Sequence, residues 1–192
     1  MRSFRLMAAA AVLPLLLAAR PLAGPVPHTI DKAHSEINFV ADSRMLSAHG
    51  FFGKWDAVVA LDPQNWEAST VAITIDASSI NTRVDMRDDH LRSPDFLDVA
   101  KHPTITFKST GIRKTGEKKM DITGDLTMRG TTKQIVVPAT LVFYEGAQGR
   151  FRGQFALNRK DFGVSYDSTV NPIENEVQVQ WDIVLKAPAP AK

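Results

Sequence analysis

Residues 176–186 read Glu176-Val177-Gln178-Val179-Gln180-Trp181-Asp182-Ile183-Val184-Leu185-Lys186, with apolar side chains at every odd position and mostly polar ones between. Successive side chains of a strand point to opposite faces, so this alternation predicts a strand with one buried face. The same pattern recurs upstream. Ile37, Phe39 and Ala41 alternate with polar residues in 36–42, and Trp55, Ala57, Val59 and Leu61 do so in 54–62. Val71, Ile73 and Ile75 carry it in 70–76, and Ile105 and Phe107 in 104–109. Met120, Ile122, Leu126 and Met128 carry it in 120–129. Ile135, Val137, Leu141 and Phe143 share a face in 133–143, and Phe151, Phe155 and Leu157 in 150–157.

With 176–186 this makes eight strands, each with one wet face. Parallel sheets are usually buried on both sides, so the pattern predicts an all-β, antiparallel chain. Closing the sheet as a barrel or pairing it as a sandwich removes exposed edges. A barrel of eight strands can be filled by side chains or can hold one small ligand. Glu145–Gly149 and Lys114–Glu117 carry turn signals for short hairpins. A short helical segment is expected at Asn81–Ser93, capped by Asn81 or Thr82, with Asp85 completing a capping box. Val84 and Leu91 would share its buried face, and Pro94 ends it. Residues 94–99 are expected to add a turn that plants Phe96 and Leu97.

The ends set the compartment. Arg2 and Arg5 precede an apolar run from Leu6 to Ala19, interrupted by Pro14. That is the layout of a cleaved secretory signal peptide over 1–23, too short for a membrane span of roughly 20 residues. The expected mature protein is therefore periplasmic and does not span the membrane. It comprises one domain over 24–186 and an extended tail over 187–192. Without the three arginines of the leader, the charge balance is 20 basic to 21 acidic residues. No basic patch remains to favour nucleic acid. There are no cysteines, which excludes disulfides, thiolate metal sites, a cysteine nucleophile and a lipoprotein anchor. The five histidines are scattered without metal-ligand spacing, so no metal site is expected. No nucleophile elbow or Ser-x-x-Lys motif is present, so no catalytic residue is assigned.

The interior is the candidate site. Phe39, Trp55, Val59, Ile73, Ile75, Phe107, Leu126, Phe143, Phe155, Trp181 and Ile183 all fall on apolar faces. Plain packing accounts for such a set, because aromatics dominate cores. A cavity for a long apolar ligand accounts for it too. Gly124, Ala139 and Gly153, in inward register, leave room for one, although strand glycines also mark bends. Three polar clusters, Arg87–His90, Arg159–Gly163 and Asp31–Ser35, read most simply as local pairs and turns. Clustering makes Arg87, His90 and Arg159 the candidates for a polar rim that receives a ligand head.

Seven segments in order carry a family pattern. They are Asp31-x-x-His34-Ser35, Gly50-x-Phe52-Gly53, Asn81-Thr82 with Arg87-Asp88-x-His90-Leu91, and Ser93-Pro94-Asp95-Phe96-Leu97-Asp98. Pro103-x-Ile105-x-Phe107-Lys108-Ser109, Gly124-x-Leu126-Thr127-x-Arg129-Gly130-x-Thr132-Lys133 and Asn158-Arg159-x-Asp161-Phe162-Gly163 follow. In these the chain resembles the YceI-like family of bacterial periplasmic proteins. The resemblance implies a lipocalin-like barrel with an internal tunnel for a polyisoprenoid or similar long amphiphile, isoprenoid quinones among them, and no required cofactor. The family often places a histidine at the end of the first long strand, where this chain has Ser43. A carrier is the leading functional reading. An enzyme acting on a lipid or quinone, and a ligand-free module that docks a membrane cytochrome, are the alternatives; an exposed edge or open end leaves room for a homodimer.

Overall fold

Alternating strands joined by tight turns build a meander, and here it closes. A computed structural model describes residues 24–187, so the leader and most of the tail fall outside the described residues. The strands are β1 (Val26–Ile30), β2 (Glu36–Ser43), β3 (Ser47–Phe52), β4 (Trp55–Leu61), β5 (Thr70–Asp76) and β6 (Ile80–Asn81). Helix α1 (Asp85–Arg92) precedes β7 (Thr104–Lys114), β8 (Lys119–Met128), β9 (Thr131–Glu145), β10 (Gln148–Asn158) and β11 (Ile173–Lys186). Every pairing is antiparallel, and eight strands close in the order β1-β4-β5-β7-β8-β9-β10-β11 and back to β1. This is the expected eight-stranded, lipocalin-like barrel with one short helix.

Its membership differs from the reading of alternation in one strand. The closing strand β1, Val-Pro-His-Thr-Ile, buries only His28 and so carries no amphipathic signal. It meets β11 through Thr29↔Lys186 and Ile30↔Leu185, and β4 through His28↔Val59. Strand β2 continues along the same edge of β11, from Asp182↔Glu36 to Ile173↔Ser43, after a single 3-10 turn at Lys32–His34. Strand β3 then pairs with β2, while β4 pairs with β1. The sheet therefore forks beside β11.

The turns follow their residues. Gly146 and Ala147, at φ 54° and 66°, make the two-residue β9–β10 hairpin, and Arg129 and Gly130, at φ 50° and 75°, make β8–β9. Positive φ at both central positions matches the twist of paired strands. A β-bulge opposite Arg150 and Phe151 inserts an extra residue into β9. It turns Tyr144 inward and Phe143 outward, where Phe143 is 39% exposed. Alternation cannot register such an insertion, because one extra residue reverses the face of all that follow.

Helix α1 is shorter than expected. Asn81 lies in β6, Val84 precedes the first turn without a side-chain cap, and Val84 is exposed rather than packed beside Leu91. The carboxylate of Asp88 instead ties the helix to the segment before it. Buried in the first turn, it accepts from the Thr82 backbone N–H at 2.8 Å and from the Thr82 hydroxyl. The following turn buries Phe96 and Leu97, as the sequence implied.

Asp31 locks the junction of β1 and β2. Its carboxylate accepts from Ala33 N and lies 3.0 Å from both Lys186 Nζ and His34 Nδ1, while its own N–H donates to Val184 O. Hydrogen bonding from Lys186, then from His34, holds its carboxyl below the ordinary value of 3.8. A depressed carboxyl stabilises the fold above its unfolded pKa and loses that contribution as pH falls through the folded one. Asp31→Asn should therefore lower the urea midpoint at pH 7. The gap to wild type should narrow as pH falls below the ordinary carboxylate value of 3.8 and through the lowered folded one, where the Asp31 side chain too becomes neutral.

Candidate functional site

The inward faces enclose a cavity of about 270 Å³. Its walls are apolar, and among its lining residues only Ser69 and Arg159 bear polar side chains. Ligand pockets commonly run to roughly 300–1,000 Å³, so this one is small, and its lining runs from Trp66 at one end of the barrel to Arg159 at the other, a narrow shape that suits a chain. Nine of the expected lining residues stand on its wall: Phe39, Val59, Ile73, Ile75, Phe107, Leu126, Phe155, Trp181 and Ile183. Phe143 does not, because the β9 bulge turns it to solvent. Nor does Trp55. It begins β4 at the fork, with Lys32 Nζ 3.6 Å above its ring, and lines an outer groove instead.

The inward glycines do not leave the empty space expected of them. A Cβ on Gly124 would lie 2.5 Å from the Phe107 ring, and one on Gly50 would lie 2.2 Å from the Phe39 ring. On Gly153 it would meet Pro138 O at 2.1 Å and the Trp181 indole at 2.7 Å. Each glycine thus gives its volume to an aromatic ring on the next strand. Ring atoms of Phe39, Phe107 and Trp181 stand where those Cβ atoms would be.

Both ends of the cavity are shut. At one end Trp66, on a 3-10 turn after β4, meets Tyr144 and Phe151 edge-on, with centroids 5.5 and 6.0 Å away. Tyr144 Oη contacts His28 Nε2 at 3.0 Å, and burial pushes the Tyr144 phenol above its usual pKa, so it stays neutral at physiological pH. Alternation missed Trp66 because it stands alone in a polar turn; only its bulk hinted at burial.

At the other end lie α1, the turn at 94–99, and the 3-10 turn at Arg159–Phe162. Arg159 is the one expected rim residue on the cavity wall. It is 4% exposed, and its guanidinium donates to Glu174 O, Val164 O, Tyr166 O and Ile173 O at 2.7–3.1 Å. Gly163 closes that corner at φ 73°, the left-handed conformation expected of it. Arg87 and His90 are drawn elsewhere. Arg87 donates to Thr82 Oγ1 and Thr82 O, bracing the loop before α1. His90 contacts Asp95 Oδ2 at 3.0 Å and packs edge-on between Phe96 and Tyr166. Ser43 caps the β2–β3 turn by donating to Leu46 O, away from the cavity. Among the described residues no group of three His, Asp or Glu could hold a metal, and no helix is long and apolar enough to cross a membrane.

Replacing Arg159 with Met keeps the bulk but strands four carbonyls. At about 1 kcal/mol each this costs about 4 kcal/mol, read as a fall in the urea midpoint. Gly153→Ala should destabilise by roughly 1–3 kcal/mol, since the Trp181 ring and the β9 backbone must both move. In a Trp181→Leu background, itself less stable, the same change should cost less.

Known proteins share this architecture. The chain matches the YceI-like domain across residues 28–185. It is 39% identical over 148 residues to a UPF0312 protein of Ectopseudomonas mendocina, covering 73% of this chain and 78% of that one. The crystal structure of Burkholderia cenocepacia BcnA superposes with a TM-score of 0.76 at 29% identity, over 81% of this chain and 98% of BcnA. A polyisoprenoid binding domain from Saccharophagus degradans superposes with a TM-score of 0.67 at 16% identity, over 85% and 99% of the two chains, a likeness of fold alone. By the extent of these matches and the barrel they share, the chain belongs to the YceI-like family.

Proposed function

We propose that this chain is an exported, non-enzymatic carrier that holds the apolar tail of a polyisoprenoid or similar long amphiphile, isoprenoid quinones included, inside its barrel. The observation that carries this reading is the apolar cavity of about 270 Å³ lined by residues from one end of the barrel to the other. Burial would hold such a tail at about 0.8 kcal/mol per methylene before entropic costs. Little in the cavity can do chemistry. Its one cation, Arg159, is engaged by four carbonyls, and no activated nucleophile faces it. The Saccharophagus domain of the same fold, described as polyisoprenoid binding, supports the ligand class. The basic leader and apolar run of 1–23 support export to the periplasm.

Organic extraction of the purified protein, followed by mass spectrometry, should return a stoichiometric long-chain lipid, or the empty protein should take up added isoprenoid quinone. A protein that elutes empty and refuses every such lipid sinks the reading. Ala57 borders the cavity on β4. Ala57→Phe should cut lipid uptake at least about tenfold while holding or raising the melting temperature, since it fills a void rather than opening one.

A further inference from the structure

The fork beside β11 leaves a break in the hydrogen-bonded wall. No ladder joins β3 to β4, since β3 pairs with β2 and β6, and β4 with β1 and β5. A groove of about 830 Å³ runs beside the gap, lined mainly by β2 and β3, with Trp55 from β4. It shares Ile37, Phe39 and Phe52 with the inner cavity, so these residues stand between the two. The rings of Phe39 and Phe52 stand 5.8 Å apart, tilted by 45°. Rotating them would join groove to cavity without breaking a backbone hydrogen bond, and side-chain rotations are fast motions.

The two ends offer no such route. The Trp66 end is packed by three aromatic rings. The α1 end is stapled by arginines to main-chain carbonyls: Arg92 to Ser78 O and Ile80 O, Arg129 to Pro94 O and Gly163 O, and Arg159 to four more. Opening it would sacrifice several charge-assisted hydrogen bonds at once.

The mouth of the groove is basic. Lys32, His49, Lys54 and Arg83 line it against one carboxylate, Glu36. Lys32 is occupied by Asp56. Lys54 and Arg83 are exposed and form no ion pair among the described residues; Asp76 is the acid whose charge Lys54 feels. Arg83 sits at φ 64°, its N–H bonded to Asn81 Oδ1 at 2.9 Å and its guanidinium 5.7 Å from the centre of the Phe51 ring. The loop is thus fixed with that cation at the groove.

We propose that the gap between β3 and β4 is the portal to the cavity, with Phe39 and Phe52 as its gate. Lys54 and Arg83 receive the oxyanion head, phosphate or carboxylate, of an amphiphile whose tail lies inside. This rests on the cavity being a lipid site.

Three probes with one tail test it on the purified protein: farnesyl monophosphate, farnesoic acid and neutral farnesol. The double variant Lys54→Glu, Arg83→Glu should weaken an acidic probe on the order of tenfold at low salt and leave farnesol within about twofold. An effect confined to one acid assigns the head as phosphate or as carboxylate. Equal weakening of all three probes, or of none, overturns the head-group site. Phe52→Ala, with Phe39→Leu as the milder alternative, should speed both uptake and release of farnesol about tenfold in stopped-flow measurements. Unchanged rates in folded variants overturn the portal. Wild-type protein that binds none of the three sinks the lipid reading of the cavity itself, and this inference with it.

Discussion

The strand β11 carries two partners along one edge, and the rest of the molecule depends on that arrangement. Of its fourteen residues, Glu176–Leu185 pair with β10 on one side without interruption. On the other side its C-terminal end takes β1 and its remainder takes β2. The first pairing closes the barrel. The second carries β2 and β3 away from β4. Asp31, tied to Lys186 and to the backbone of Val184, fixes the point at which one partner gives way to the next. Because the closure spans so few residues, the inner wall there relies on side chains, and the fork and its groove follow.

An interior of this width would collapse if its side chains simply met in the middle. Two devices prevent that. Glycines at 50, 124 and 153 let Phe39, Phe107 and Trp181 lie against the neighbouring backbone. Close packing is thereby met within the wall, where each ring occupies the place of an absent Cβ. At the α1 end, the charge of Arg159 is spread over four carbonyls, so an otherwise costly buried cation becomes a staple for a loop without other regular structure. The polar clusters at 31–35, 87–90 and 159–163 thus serve chiefly to hold connections in place. Lys54 and Arg83, two of the cations without an ion pair among the described residues, stand beside the fork, outside the segments that carry the family pattern.

How far the sequence could be read follows from the range of each signal. Alternation is local, and it placed seven of the eight barrel strands and nine of the cavity's lining residues. It failed where a single residue changes the register, as at Phe143 after the β9 bulge, and where a strand is too short and polar to alternate, as at β1. It failed again at Trp55, whose face is correct but whose strand end lies at the fork. Charge and proximity along the chain point to Arg87, His90 and Arg159 as a rim. Hydrogen-bond partners decided their fate, and carbonyls up to fifteen residues away claimed Arg159.

By itself, then, the sequence determined an antiparallel sheet with one apolar face, its turns, and its family, because period and turn chemistry are properties of neighbouring residues. Tertiary structure alone decided that the apolar faces enclose a slim void rather than a filled core. It also decided that side chains pack across both ends and that no ladder joins β3 to β4. Those outcomes depend on which strands share an edge and on which ring fills which glycine, and both are contacts between residues far apart in the chain.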